Sequence, residues 1–165
     1  IARIIRVDHA GEYGARRIYE GQLAVLGKTP SGVPIREMAE AEKRHLDTFD
    51  KLVVDRKVRP TILGPIWHIA GFALGATSAL MGERAAMACT VAVEQVIEEH
   101  YKKQAEQLGE EEAELRETIK EFAADEAHHK DTALKHEAAS APGYTPITTI
   151  IKSGTRAAIW LSERI

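Results

Sequence analysis

Cysteine is nearly absent from this chain. One residue, Cys89, stands among 165, which excludes an internal disulfide and suits a reducing compartment. Glycine and proline are sparse, at 12 and 6, as a mostly helical chain requires. Neither charge dominates: 22 Lys and Arg face 25 Asp and Glu, for a net −3. No basic footprint therefore marks a nucleic-acid partner. An initiating Met is missing too. The chain opens on Ile1, which implies processing or trimming, and any targeting segment would precede it. At this length one domain, 1–165, with a real core is expected.

What is present is a repeated pattern. Glu42-Lys-Arg-His45 and Glu126-Ala-His-His129 each place a Glu and a His three apart, on one helix face. Each has a lone Glu upstream. Glu12 lies 30 residues before Glu42 (42 − 12), and Glu94 lies 32 before Glu126 (126 − 94). Glu94 interrupts Met87–Ile97, a run that should face the core. A buried carboxylate must be protonated, paired or given a metal. Alone, Glu94 would fit a buried ion pair; four such carboxylates at repeat spacing favour metal. Four helices that each carry a carboxylate, two also carrying a His, supply the ligands of a two-metal site in an all-α four-helix bundle. The expected metal ligands are Glu12, Glu42, His45, Glu94, Glu126 and His129. Carboxylate and imidazole without thiolate suit iron or manganese better than structural zinc.

The helices follow from periodicity and breaks. The first is expected from about His9 to Leu26, capped by Asp8. Gly27–Pro34 is a break, and a second helix runs from about Ile35 to Arg56. The second hairpin pairs about Glu83–Leu108 with about Glu111–Ala139 around Gly109. The two hairpins thus span 9–56 and 83–139. After Pro142-Gly143, Ile147, Ile150, Ile151, Gly154, Ala158, Leu161 and Ile165 share one face of a short amphipathic helix over 147–165.

Thr61–Gly82 contains no Asp, Glu, Lys or Arg. Its length makes it a transmembrane candidate. A span would put Glu42 and His45 across the bilayer from Glu94, so a shared site requires the stretch to begin and end on one side. It reads as the long crossover of the bundle, an apolar helix on or in a membrane surface. The alternative is a buried crossover helix in a soluble protein. Trp67, Ile69, Phe72 and Leu74 leave little polar face to turn to water.

Several further residues are candidates. Asp125, next to Glu126, can bond the outer nitrogen of a ligand His, His45 being the one across the bundle, or can simply be solvated. Tyr101, seven after Glu94, is a candidate proton or electron carrier or a core tyrosine with a bonded hydroxyl. His100 lies off that face and is a weaker candidate. Glu98 points inward, to serve the site or a salt bridge, whereas His128 belongs on the surface.

The pattern Glu12, Glu42-x-x-His45, Glu94, Glu126-x-x-His129 resembles the ferritin-like di-iron carboxylate superfamily. Arg6-Val-Asp-His-Ala-Gly-Glu-Tyr-Gly14, Ala86–Glu94 and Ala158-Ile-Trp-Leu-Ser-Glu-Arg-Ile165 are similar to the 5-demethoxyubiquinone hydroxylase family of ubiquinone biosynthesis. Val58-Arg-Pro60 and Gly71–Gly75 agree, and the likeness covers nearly the whole chain. Family members often have a slightly longer turn around Leu108–Leu115, which touches no ligand.

The resemblance implies a peripheral protein of the mitochondrial inner membrane, on its matrix side, or of a bacterial membrane. It implies hydroxylation of a prenylated methoxy-benzoquinol by O2 at two iron ions, with electrons from NADH. It also implies a lipid-binding accessory protein, and assembly with that partner or with itself. In this scheme Glu42 and Glu126 bridge the metals, while Glu12 with His45 and Glu94 with His129 complete the two sides. The rival readings are a membrane quinol oxidase, whose last motif Ala123–His129 resembles, and a ferritin-like iron store, whose soluble shell Thr61–Gly82 would spoil.

Overall fold

The computed structural model describes residues 1–165 and contains six α-helices, two single 3₁₀ turns and no strand. The helices are α1 (Ala2–Leu26), α2 (Gly32–Asp55), α3 (Gly64–Leu80), α4 (Glu83–Gln107), α5 (Ala113–Lys135) and α6 (Tyr144–Ser162). Helices α1, α2, α4 and α5 carry the paired acidic motifs and form the bundle. Helix α3 is the crossover and lies along α1, while α6 returns over α4. The architecture is an all-α, ferritin-like bundle, as the repeated Glu pattern implied.

Asp8 is not a cap. Ile4, Ile5 and Val7 are buried before it, so the apolar face of α1 continues to Ala2 and carries Asp8 into the core. Helix α2 also starts earlier than expected, with Pro34 in its first turn, where a missing N–H is harmless. Both hairpins are then nearly level. Glu12 lies 14 residues from the end of α1 (26 − 12), and Glu42 lies 10 from the start of α2 (42 − 32). In the second hairpin the separations are 13 (107 − 94) and 13 (126 − 113).

Helix α5 stops at Lys135 instead of running to Ala139. Glu137 takes a left-handed conformation, φ 62°, and turns the chain so that Ala138 is buried. Helix α2 ends similarly. Lys57 is left-handed and the Val58 N–H bonds back to the Val53 carbonyl, which closes the end and buries Val58.

The crossover packs by what it lacks. A Cβ at Gly71 would strike the Gly14 carbonyl, and one at Gly75 would strike the Ile18 carbonyl. These glycines let the backbones of α3 and α1 touch, so the large side chains turn elsewhere. Ile62, Ile66, Ile69, Leu80 and Met81 are exposed. Phe72 is half-buried under the Arg17 guanidinium, and Trp67 Nε1 donates to Ser162 Oγ at 3.0 Å. At 17 residues, or about 26 Å, α3 is short for a bilayer. No helix is long and apolar enough to cross a membrane.

Helix α6 begins at Tyr144, three residues before the expected start. Its buried positions include Thr148 and Ser162, whereas Ile150 is 72% exposed. The expected stripe is therefore rotated. Thr148 can be buried because its hydroxyl donates to the Tyr144 carbonyl at 2.8 Å, and Ser162 because it receives Trp67. Polar residues satisfied this way do not register as core in an apolar count.

Candidate metal centre

Each bundle helix delivers its acidic residue to one interior point. Glu12, Glu42, His45, Glu94, Glu126 and His129 are at most 3% exposed. They form two overlapping groups: Glu12, Glu42, His45 and Glu126, and Glu42, Glu94, Glu126 and His129. Within each group the potential ligand atoms lie within 4.8 Å of one another. Glu42 and Glu126 belong to both.

The histidines present equivalent atoms. His45 Nδ1 is 3.4 Å from Glu12 Oε2 and 3.2 Å from Glu126 Oε1. His129 Nδ1 is 3.2 Å from Glu42 Oε1 and 3.1 Å from Glu126 Oε2. The opposite nitrogen of His45, Nε2, lies 3.0 Å from Asp125 Oδ2. Phe122 stacks on the same ring at 3.9 Å, so the imidazole is held by its edge and its face.

Four buried carboxylates with so few donors are electrostatically unsatisfied. Glu12 Oε2, both oxygens of Glu42, Glu94 Oε2 and Glu126 Oε1 have no hydrogen-bond partner. Burial first, then repulsion from Glu126, pushes Glu42 and Glu94 well above the usual carboxylate range. Burial also raises Glu126, against the pull of His45. For His45, burial disfavours the charged ring, but the carboxylates of Glu12 and Glu126 facing Nδ1 outweigh it and lift the pKa to about 11. The site thus calls for positive charge. Clustered orphan oxygens with two imidazole nitrogens fit a pair of divalent cations. Cys89 belongs to neither ligand group, and burial pushes its thiol up to about 12.

Two tyrosines close the ends. The Tyr101 hydroxyl donates to Glu12 Oε1, and the Tyr19 hydroxyl donates to Glu94 Oε1. Sequence reasoning singled out Tyr101 and missed Tyr19. The signal existed, since Tyr19 is seven after Glu12 just as Tyr101 is seven after Glu94. His100 stays outside the cluster. Its Nε2 is 2.8 Å from Gln104 Nε2 and 3.6 Å from Asp8 Oδ1. Glu98 is taken by Lys102 and Lys130, each at 2.5 Å, and His128 is exposed.

A cavity of about 350 Å³ opens beside the cluster, between α1, α3, α4 and α6. Ala15, Ile18, Leu74, Val93 and Ile97 make its walls apolar, with Asp8, His100 and Tyr101 at polar positions. Tyr101 belongs both to this wall and to the cluster.

Comparison with known proteins agrees with this geometry. The family model for ubiquinone biosynthesis protein COQ7 matches residues 1–162. A Dictyostelium discoideum protein named mitochondrial NADPH-dependent 3-demethoxyubiquinone 3-hydroxylase is 57% identical over 168 residues, covering 100% of this chain and 77% of the relative. The 3-demethoxyubiquinol 3-hydroxylase of Rhodospirillum rubrum is 53% identical over 166 residues, covering 100% and 78%. The mitochondrial 5-demethoxyubiquinone hydroxylase of Saccharomyces cerevisiae is 44% identical over 180 residues, covering 99% and 77%.

Proposed function

The chain belongs to the ubiquinone biosynthesis protein COQ7 family, and on that premise we propose that it hydroxylates the ring of a prenylated demethoxyubiquinol with O2 at a two-iron centre. The observation that carries this reading is the pair of ligand groups sharing Glu42 and Glu126, set beside an apolar cavity. Glu12 and His45 would complete one side, and Glu94 and His129 the other.

Two iron ions held there would supply electrons and Lewis acidity for reaction with O2. The reaction takes the quinol, O2, two electrons and two protons, and yields the hydroxylated quinol and one water. The electron donor is a reduced nicotinamide nucleotide. NADH was the expectation from sequence, whereas the Dictyostelium relative's name specifies NADPH. The chain's own residues bind the ring, keep water out and hold protons. Ile18, Val93 and Ile97 shield the ring, and Phe122 and Asp125 fix His45. The Tyr101 hydroxyl, between cavity and Glu12, is placed to hand a proton across.

A prenyl tail is nearly insoluble in water, so the enzyme gains by facing a membrane. Exposed Ile66, Ile69, Ile150 and Trp160 on α3 and α6 suit a peripheral mode of attachment. The setting is the mitochondrial inner membrane, or the bacterial membrane for a prokaryotic form. A lipid-binding accessory protein would help deliver the substrate.

The test is incubation with a demethoxyquinone, reductant and ¹⁸O₂, followed by mass spectrometry. One labelled atom in the quinol is expected. Water as the sole labelled product would identify a quinol oxidase, and a mineral core would identify an iron store.

A further inference from the structure

Two features of the cavity wall have no packing explanation. The first is Asp8, only 2% exposed. Its Oδ1 accepts from Gln104 Nε2 at 2.8 Å, while Oδ2 has no partner. Burial lifts the carboxyl to about 6, with His100 and Gln104 pulling it back. The ionised form, which the Gln104 N–H and the nearby His100 ring favour, accepts hydrogen bonds and donates none. A buried acceptor left open is costly unless something supplies the donor.

The second feature is glycine. Gly11 and Gly14 of α1 and Gly154 of α6 line the same cavity. A Cβ added to any of them would meet nothing within 4 Å. Gly71 and Gly75 are required by backbone contact, but these three are not. Glycine inside a helix is disfavoured against alanine, so their presence is explained if the space belongs to a ligand.

We propose that Asp8 Oδ2 accepts a hydrogen bond from a ring hydroxyl of the reduced quinol, in a slot kept open by Gly11 and Gly14. Asp8 then selects the reduced over the oxidised ring, because a quinone carbonyl has no proton to offer it. Asp8 lies one helical turn before Glu12 on the same face, so a ring anchored there sits beside the metal centre. No proton leaves the substrate in this contact; Asp8 binds and orients. The inference rests on the reading that the cavity receives the quinol.

Trp67 lines the cavity, so its fluorescence reports binding, with Trp160→Phe removing the chain's other tryptophan. The metal-loaded full chain, kept free of O2, is titrated with a short-chain methoxybenzoquinol, its bis-O-methyl ether and the corresponding quinone. The starting chain should bind the quinol roughly tenfold or more tighter than the ether. Asp8→Ala should abolish that preference while leaving ether binding unchanged. Asp8→Asn, which can turn an N–H towards the cavity, should shift preference towards the quinone. Gly11→Ala should weaken all three ligands alike.

Retention of the quinol preference in Asp8→Ala, or its absence in the starting chain, overturns the proposal. If Asp8→Ala does not fold, the near-isosteric Asn variant decides, and an unchanged preference there overturns it equally. Failure of the underlying reading looks different: no probe binds the starting chain, and no labelled quinol forms from the long-chain substrate.

Discussion

Tyr19 and Tyr101 exchange partners across the bundle: each stands seven residues after one upstream glutamate and donates to the other. Tyr19 follows Glu12 on α1 and bonds Glu94, while Tyr101 follows Glu94 on α4 and bonds Glu12. The internal repeat thus extends beyond the candidate ligands to the groups that hold them. The symmetry breaks at the cavity, whose wall contains Tyr101 but not Tyr19. Tyr101→Phe should therefore retain iron but slow turnover about tenfold or more, as expected for loss of a positioned proton donor. Tyr19→Phe should retain iron and slow turnover much less. Equal rates for Tyr101→Phe and the unaltered chain would return Tyr101 to a packing role.

Glu42 and Glu126 occur in both ligand groups. Replacing either with Ala should remove both metals together, leaving the helices folded. Glu12→Ala and Glu94→Ala each touch one group and should leave intermediate iron content. Metal analysis beside far-UV circular dichroism measures both. Full iron in Glu42→Ala or Glu126→Ala refutes the shared role.

The metal-free chain should lose stability as pH rises. Glu42, Glu94 and Glu126 all have folded pKa values above their ordinary 4.5. The folded state thus holds protons that the unfolded chain has already released, and stability falls as pH climbs above 4.5. His45 acts in the same direction: its contribution is complete below 6.5 and disappears towards about 11. His129 opposes them, since burial lowers its pKa, but it is one group against four. Thermal melts of metal-free protein should show Tm falling from about pH 5 to 8. Bound metal should reverse the trend, because protons then compete with it for the carboxylates. A metal-free Tm that rises over this range contradicts the electrostatic account.

The bundle was legible because its chemistry is periodic. Glu12, Glu42, Glu94 and Glu126 break apolar faces at matched intervals, and only a shared interior destination explains that. Asp8 was misread because a carboxylate before an apolar helix looks like a cap. What carries it inside is the packing of Ile4, Ile5 and Val7, a tertiary fact. Phe72 and Leu74 looked interchangeable with Ile69 as outward apolar residues. Which face of α3 turns outward depends on Gly71 and Gly75 meeting α1, and hydropathy does not encode that contact. Ile150 and Thr148 exchanged places for a related reason, since a threonine bonded to its own helix can be buried as readily as an isoleucine.

The rotation of α3 also determines how membrane attachment is tested. Leu74 lines the cavity and Phe72 sits against Arg17, so charge there would damage the site as well as any membrane contact. Ile66 and Ile69 are 55% and 71% exposed and point away from both. Burying an exposed apolar side chain yields roughly 1.5–3 kcal/mol, so on the proposed membrane reading these two with Ile150 and Trp160 would supply enough for reversible docking. Changing Ile66 and Ile69 together to Glu should leave metal content and Tm nearly unchanged, because neither side chain packs in the core. Liposome binding should fall at least tenfold, since charge must then enter the acyl boundary. The apparent KM should rise for a long-chain quinone and stay constant for a short soluble analogue, which reaches the cavity from water. Unchanged liposome binding together with unchanged KM for both substrates would show that this face meets something other than lipid.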